Sequence, residues 1–320
     1  MLMQYSKIER ITYLLKNRLM FAWIKAKFKN THYYEKLKPE KYEKEIKEWF
    51  HYTTGEQLSL ENPKTYNEKI QWLKLYDSTP LKTQLSDKYR VREWVKDKIG
   101  EEYLIPLLGV WDKFDEIDFD ALPDKFVLKA NHGCGWNIIV TDKAAFNKED
   151  AKEKFDVWMN SNFAYSVGLE LQYMNIEPKI IAEEYIENFD EDVNDYKVFC
   201  FNGKADSIMM LTERKKGLKM SFYDLEWNQL PFTYSYPRNK EISSKPKNLK
   251  QLIHLAEILS EGFCHVRVDF YIMNDGQIKF GEMTFTSGSG TCIWNPPEQN
   301  TVYGEKIRLP EKKPIPQRIK

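Results

Sequence analysis

The sequence predicts an α+β fold built on antiparallel sheet. Three observations carry that prediction. Helix-periodic and strand-like segments are interspersed along the chain. Two strand pairs meet at Asn202-Gly203 and Asp275-Gly276, dipeptides that favour two-residue hairpin turns. The remaining strand signals, FVLK (126–129), NIIV (137–140) and KIIAEEYI (179–186), are short, and the first two read as buried. Hairpins join neighbours antiparallel, so a doubly wound parallel sheet is not expected.

The elements follow in order. Ile8, Ile11, Leu14, Leu15 and Leu19 recur at helical spacing among Lys7, Arg10, Lys16, Arg18, Lys25, Lys27 and Lys29. A basic amphipathic helix suits an anionic membrane surface, but packing on the domain or on another subunit is the favoured reading. Residues 33–52 are charged and helical, and composition shifts at Gly55. Helices are expected over 66–76, 87–99, 148–160 and 247–260. Residues 103–110 contain Pro106 and read as an edge strand or a loop. After Gly290 the chain is Pro-rich and polar and reads as a tail.

Bulk properties bound the class. The 320 residues suggest about two domains. A content of 42% hydrophobic and 30% charged residues fits a soluble globular protein. Zero formal net charge supplies no global field for nucleic acid. The 14% aromatic content supports a large core and also suits a cleft for a sugar or a base. Cys134, Cys200, Cys264 and Cys292 form no Cys-x-x-Cys pair and read as reduced thiols of a cytosolic protein. No apolar run reaches the roughly 18 residues of a membrane span. The N-terminal apolar residues are interrupted by Lys and Arg, which argues against a signal peptide.

RVDFYIMNDGQIKFGEMTF (267–285) carries the sharpest chemical question. With Asp275-Gly276 as a two-residue loop, Ile272 faces Lys279, Tyr271 faces Phe280 and Asp269 faces Glu282. Like charges directly across a ladder repel. A divalent cation between the two carboxylates resolves the repulsion, because Mg²⁺ is commonly held by one or two carboxylates plus substrate phosphates. A solvated face on which Arg267 screens both acids is the alternative. Arg267, Asp269 and Tyr271 share one face, and Val266, Val268 and Phe270 share the other, toward a core.

Three further stretches admit paired readings. In KANHGCGWN (129–137), a strand ends in Lys129 and a loop carries Gly133 and Gly135. Such a loop is either an anion-binding nest of backbone amides, with Lys129 on the phosphates, or a plain hairpin loop. In IAEEYIE (181–187), Glu183 and Glu184 either meet an adenine or a ribose or are merely exposed. In DYKVFCFNG (195–203), Lys197 either neutralises a transferring phosphoryl group or forms a cross-strand salt bridge beside Asp195. His132 has no companion His and reads as structural or phosphate-contacting. The aromatics of EWNQLPFTYSYPRNK (226–240) read either as a sugar-stacking platform or as a hydrophobic lid.

The order of these stretches resembles the ATP-grasp fold, in which two α+β subdomains clamp ATP. NPKTYNEKIQWLKLYD, SDKYRVREWV, LPDKFVLKANHGCGWNIIV, DYKVFCFNGK and RVDFYIMNDGQIKFGEMTF together resemble the TupA-like ATP-grasp family over about residues 57–297. Its namesake is tied to teichuronopeptide synthesis, and members occur in bacterial capsule and exopolysaccharide gene sets. The resemblance implies an N-terminal helical extension (1–54), a pre-grasp subdomain (55–120), a lid subdomain (121–186), a metal and catalytic subdomain (187–300) and a tail (301–320). It implies ATP and Mg²⁺ as cofactors. Lys88 and Lys129 would contact ATP, and Gly133 and Gly135 would belong to the lid. Glu183, Glu184, Tyr185 and Ile186 would form the adenine hinge, and Glu187 would meet the ribose. Asp269 and Glu282 would hold magnesium. Many ATP-grasp enzymes carry Glu-x-Asn at the second metal strand, whereas this chain has Glu282-Met283-Thr284, which puts a hydroxyl in place of an amide among the metal ligands.

The implied activity is a carboxylate–amine ligase that makes an amide through an acyl phosphate on a cell-surface polysaccharide precursor, with Arg267 and Lys197 as catalytic cations. The substrates would be a uronic acid with an amino acid or amine, and the expected location is the cytoplasm, with the inner face of the cell membrane as the alternative. The N-terminal basic helix would supply any peripheral membrane contact, and no nucleic acid partner is expected. A glycosyltransferase of capsule or exopolysaccharide synthesis, a sugar kinase and a membrane-surface scaffold are the alternatives.

Overall fold

The computed structural model describes residues 36–186, 195–213 and 217–319. The N-terminal basic helix and Glu187 lie outside the described residues. Helix α1 (Tyr42–Thr54) stops at Gly55, whose φ of 80° gives the left-handed cap that a non-glycine residue resists. Helix α2 (Tyr66–Tyr76) matches the expected range and starts in a capping box between Thr65 and Glu68. A separate helix not expected from the sequence, α3 (Pro80–Ser86), comes next, and the helix expected over 87–99 starts later, as α4 (Val91–Ile99). The break comes at Asp87, whose carboxylate accepts the backbone N–H groups of Tyr89 and Arg90 (2.8 and 3.2 Å) and the Asn131 amide (2.9 Å). That turn presents Lys88.

Strands β1 (Leu107–Trp111), β2 (Phe126–Ala130), β3 (Asn137–Val140) and β4 (Ile180–Glu184) make an antiparallel sheet in the order β1-β4-β2-β3. Helix α5 (Lys148–Met159) covers it through Ala151 and Phe155, which pack with Phe126, Leu128 and Ile180. Strand β3 was expected to be buried. It is an exposed sheet edge, with Asn137 and Ile139 facing solvent, because no strand pairs with its outer side. Strand β1, which follows Pro106, is the other edge.

A second antiparallel sheet runs β10-β9-β5-β6-β7, formed by β5 (Asp195–Phe201), β6 (Lys204–Thr212), β7 (Lys219–Tyr223), β9 (His265–Ile272) and β10 (Ile278–Thr284). Asn202 and Gly203 form the two-residue turn that the sequence predicts, at φ 52° and 77°. Alternation divides the sheet's two faces. Val198, Val266, Val268 and Phe270 pack under helix α6 (Leu249–Ser260), and Phe199, Phe201 and Phe222 pack against α2. Each buried phenylalanine contributes about 2–3 kcal/mol of apolar transfer.

Two expectations are corrected here. Residues after Gly290 are not a free tail. Strand β11 (Trp294–Asn295) pairs with β8 (Thr233–Tyr234), and helix α7 (Glu298–Lys306) buries Tyr303 against Tyr66 and Phe199. Aromatic anchors among polar residues hold this segment down. The 226–240 stretch offers no sugar-stacking platform through Trp227, Phe232 or Tyr234, since all three are buried. Trp227 stacks on Tyr223 with ring centroids 4.3 Å apart, and Phe232 lies on Phe222. Among the described residues, no helix is long and apolar enough to cross a membrane.

Candidate active site

A cleft of about 170 Å³ opens between the two sheets. Lys88, Lys129, Gly135, Trp136, Asn137 and Glu183 line it from the small-sheet side. Lys197, Asp269, Tyr271, Gly281 and Glu282 line it from the large sheet, and Arg92, Leu104 and Ile105 flank it.

The β9–β10 register positions the acidic pair. Asp269 lies opposite Glu282 and Arg267 opposite Thr284, as the sequence predicts. Nearer the turn the prediction fails by one residue, since Ile278 faces Ile272 and Lys279 faces Tyr271. Gly276, at φ 88°, joins a three-residue turn rather than a two-residue one, closed by Gly276 N–H to Met273 O at 2.9 Å. The extra turn residue is offset by a bulge at Gly281, so the outer ladder returns to the expected pairing.

Around that pair the charges interlock. Arg267 Nε donates to Asp269 Oδ1 at 2.7 Å. Its Nη2 donates to both Asp269 Oδ2 and Glu282 Oε1, each at 2.7 Å. Its Nη1 reaches Ser287 Oγ at 3.0 Å. Lys197, opposite Asp269 on the neighbouring strand, donates to the Asp269 carboxylate and pairs with Asp195 at 2.8 Å. Burial works against the Lys197 charge, yet Asp269 and Asp195 hold its pKa above the usual lysine value. Burial would likewise raise the Glu282 pKa, but Arg267, Lys197 and the Thr284 hydroxyl bring it down to about 2. Thr284 Oγ1 donates to Glu282 Oε1 at 2.7 Å, so it orients the carboxylate. The Asp269 side chain is 3% exposed and that of Glu282 37%, which makes Glu282 the member open to the cleft.

The opposite wall is built on β2 and β4. Glu183 accepts from Arg92 Nη1 at 2.9 Å and from Lys129 Nζ. Arg92 also donates to Ile105 O at 2.8 Å, tying α4 to the cleft rim. Lys88 donates to Gly133 O. Burial lowers its pKa, and the Glu282 charge opposes that shift. A Cβ on Gly133 would stand 2.3 Å from the Trp136 ring, so the loop closes only around a glycine there. Gly135 has φ +73°, the left-handed region that glycine adopts freely.

Other predicted residues fall elsewhere. Glu184 is exposed, Ile186 is buried, and Tyr185 carries Lys125 over its ring at 5.7 Å, so only Glu183 of that group lines the cleft. His132 is structural. Its ring nitrogens lie 3.1 Å from Asn131 Oδ1 and 3.0 Å from Trp158 O, and burial pushes its pKa down to about 4. Sequence reasoning missed Arg92 and Tyr271. Arg92 stands four positions after Lys88 in the stretch read as one helix, and Tyr271 follows Asp269 on the same strand face, so both carried a periodic signal.

The donor set fits a magnesium ion. Two carboxylates meet across a ladder, and a cationic nitrogen of Arg267 stands between them as a stand-in. Among the described residues, no group of three or more His, Cys, Asp or Glu is arranged to hold a metal alone. Two protein carboxylates completed by phosphate and water oxygens is the pattern magnesium takes.

A family model described as TupA-like ATPgrasp matches residues 68–308, which starts later than the expected 57 and runs beyond the expected 297, past the end of α7. No curated protein matches the chain. Among solved structures, N5-carboxyaminoimidazole synthetase from Staphylococcus aureus is 14% identical with a TM-score of 0.38, over 63% of this chain and 44% of that one. D-alanine–D-alanine ligase from Bacillus anthracis is 15% identical with a TM-score of 0.38, over 69% and 63%. The ATP-grasp ligase PsnB, complexed with minimal precursor, Mg and ADP, is 11% identical with a TM-score of 0.36, over 66% and 53%. The chain thus spans about half the length of these structures. The family match covers the cleft and both sheets, and this chain therefore belongs to the TupA-like ATP-grasp family and carries its α+β ATP-grasp fold.

Proposed function

We propose that this protein is an ATP-dependent carboxylate–amine ligase that forms an amide on a cell-surface polysaccharide precursor. The observation that carries the reading is the placement of Lys88, Lys129 and Gly135 across one cleft from Asp269, Glu282 and Lys197, with Arg267 bound to both carboxylates. One wall supplies cations and backbone amides for a triphosphate, and the other supplies carboxylates and cations for the transferred group.

Phosphoryl transfer needs in-line positioning and charge neutralisation rather than a protein nucleophile. Lys129 and Lys88 would bind phosphate oxygens. Asp269 and Glu282 would hold magnesium, which shields phosphate charge when bound. Arg267 and Lys197 would neutralise the acyl phosphate formed when the substrate carboxylate takes the γ-phosphoryl group. An amine then displaces phosphate, and its proton leaves to solvent. Glu183, between Arg92 and Lys129, would set the lysine's reach.

The carboxylate partner proposed is a uronic acid, and the amine an amino acid or amino sugar, at the cytoplasmic face of the membrane. The test is ATP-dependent phosphate release with panels of uronic acid and amine pairs, beside Asp269→Asn. Free phosphate with amide product supports the ligase. Phosphate retained on the sugar marks a kinase instead, and no turnover of any pair together with transfer from a nucleotide-sugar sinks the proposal.

A further inference from the structure

We propose that Arg267 is the resident cation of the position between Asp269 and Glu282, and that guanidinium and divalent metal exclude each other there. The inference rests on the ATP–magnesium reading above. The guanidinium satisfies both Asp269 oxygens and one Glu282 oxygen at 2.7 Å each. Lys197 adds a second donor on Asp269. A divalent ion placed between those carboxylates would lie within a few ångströms of two fixed positive charges, where repulsion is strong in a partly buried site.

The ion pairing points the same way. Asp195, Asp269 and Glu282 each pair with Lys197 or Arg267 without any metal, although three acids against two cations leave one net negative charge. Metal binding must therefore displace the guanidinium. A triphosphate in the cleft offers it a replacement anion, while Ser287 Oγ, at 3.0 Å from Nη1, is a contact it need not surrender. Metal and nucleotide thus enter together by exchange of partners: carboxylates pass from Arg267 to metal, and Arg267 passes to phosphate. By itself, each ligand meets a site already closed by its own counter-charge.

The experiment titrates the full chain with Mn²⁺ alone, followed by electron paramagnetic resonance, for wild type, Arg267→Gln and Arg267→Lys. Circular dichroism checks folding. Removing the guanidinium should tighten nucleotide-free Mn²⁺ at least tenfold. Arg267→Lys keeps one charge but replaces the fixed planar fork with a compact ammonium that does not reproduce the bidentate grip on Asp269, so it should fall between. If Arg267→Gln does not fold, the lysine variant decides alone. A parallel titration with a non-hydrolysable ATP analogue, wild type beside Asp269→Asn, tests the underlying reading. If Asp269→Asn weakens Mn²⁺–nucleotide binding but neither Arg267 variant binds bare Mn²⁺ tighter than wild type, the exchange is wrong and the cofactor reading stands. If wild type shows no Mn²⁺–nucleotide binding at all, both fall.

Discussion

Gly281 touches Asp269 across the ladder. A Cβ built at Gly281 would stand 3.1 Å from the Asp269 carbonyl oxygen and 3.3 Å from the Tyr271 ring. The bulge that aims Glu282 into the cleft thus depends on a residue without a side chain. Gly281→Val should separate the strands and misplace Glu282. Magnesium-dependent ATP-analogue affinity is expected to fall about tenfold or more, since misplacement by about an ångström is costly in such sites. Calorimetric titration checks it, and undiminished affinity would remove the bulge from the account of the site.

Asp269→Asn and Glu282→Gln should both lose the magnesium dependence of nucleotide binding. Asp269→Asn should also destabilise the fold, by about 3–5 kcal/mol, because Arg267 and Lys197 lose a buried partner. Glu282 is more open, so its variant should cost less stability. Urea denaturation of the two variants gives the comparison.

Arg92→Ala should weaken the ATP analogue without abolishing the metal effect, because it removes a partner of Glu183 and not a metal ligand. Lys129 would then be drawn more tightly to Glu183. An affinity loss of about five- to twentyfold is expected for one charge-assisted contact. Equal affinity for Arg92→Ala and wild type would show that the Glu183 pair plays no part in binding.

Acid should destabilise the protein from about pH 6.5 downward. His265 is buried and neutral, accepting from Tyr66 Oη (2.9 Å) and donating to Cys200 O (2.9 Å), and burial pushes its pKa to about 3. His132 is pushed to about 4. The unfolded chain protonates both below about pH 6.5. It therefore binds more protons than the folded protein in that window, and stability falls as pH drops toward the folded values, by about 1.4 kcal/mol per pH unit for each group. Glu282 has its folded pKa depressed, so its contribution is full above the ordinary glutamate value and is lost as pH falls toward about 2. Melting temperature should fall as pH drops below about 6.5. His265→Gln should reduce that slope, and an unchanged slope would move the acid sensitivity elsewhere.

Phe232→Ala should cost about 3–5 kcal/mol, measured by urea unfolding, because Phe232 is 4% exposed among Phe222, Trp294 and Tyr303. A variant of wild-type stability would reopen a binding role for the 226–240 segment.

The sequence made the alternation of β9 and the facing of Asp269 by Glu282 legible, because side-chain period and turn chemistry are local. The inner register was not legible. One extra residue in the Gly276 turn and one in the Gly281 bulge cancel, so the outer pairing was predicted through a wrong turn. Arg92 and Glu183 meet only through tertiary folding, across 91 positions. Trp227 and Phe232 show the same limit from the other side, since aromatic residues in a polar stretch look alike whether they await a ligand or fill a core. The late start of the helix expected over 87–99 hinged on Asp87 capping the turn at Lys88, a side-chain choice that periodicity does not record.

Several side chains of helix α2 are held by residues that follow it at great distance. Tyr66 bonds His265, Asn67 bonds Cys292 O and Asn300, and Lys69 donates to Ile307 O. Gln71 and Lys74 pin the carbonyls of Ser289 and Gly290 beside the acidic pair. During synthesis this helix must wait for partners more than 190 positions away, on the order of ten to fifty seconds at ribosomal speed. Ile70, Leu73 and Leu75 share their core with Tyr42, Ile46 and Phe50 of α1 as well as with these later residues. The segment from 287 to 307 thus closes the core over α2 and fixes the loop behind the carboxylates together.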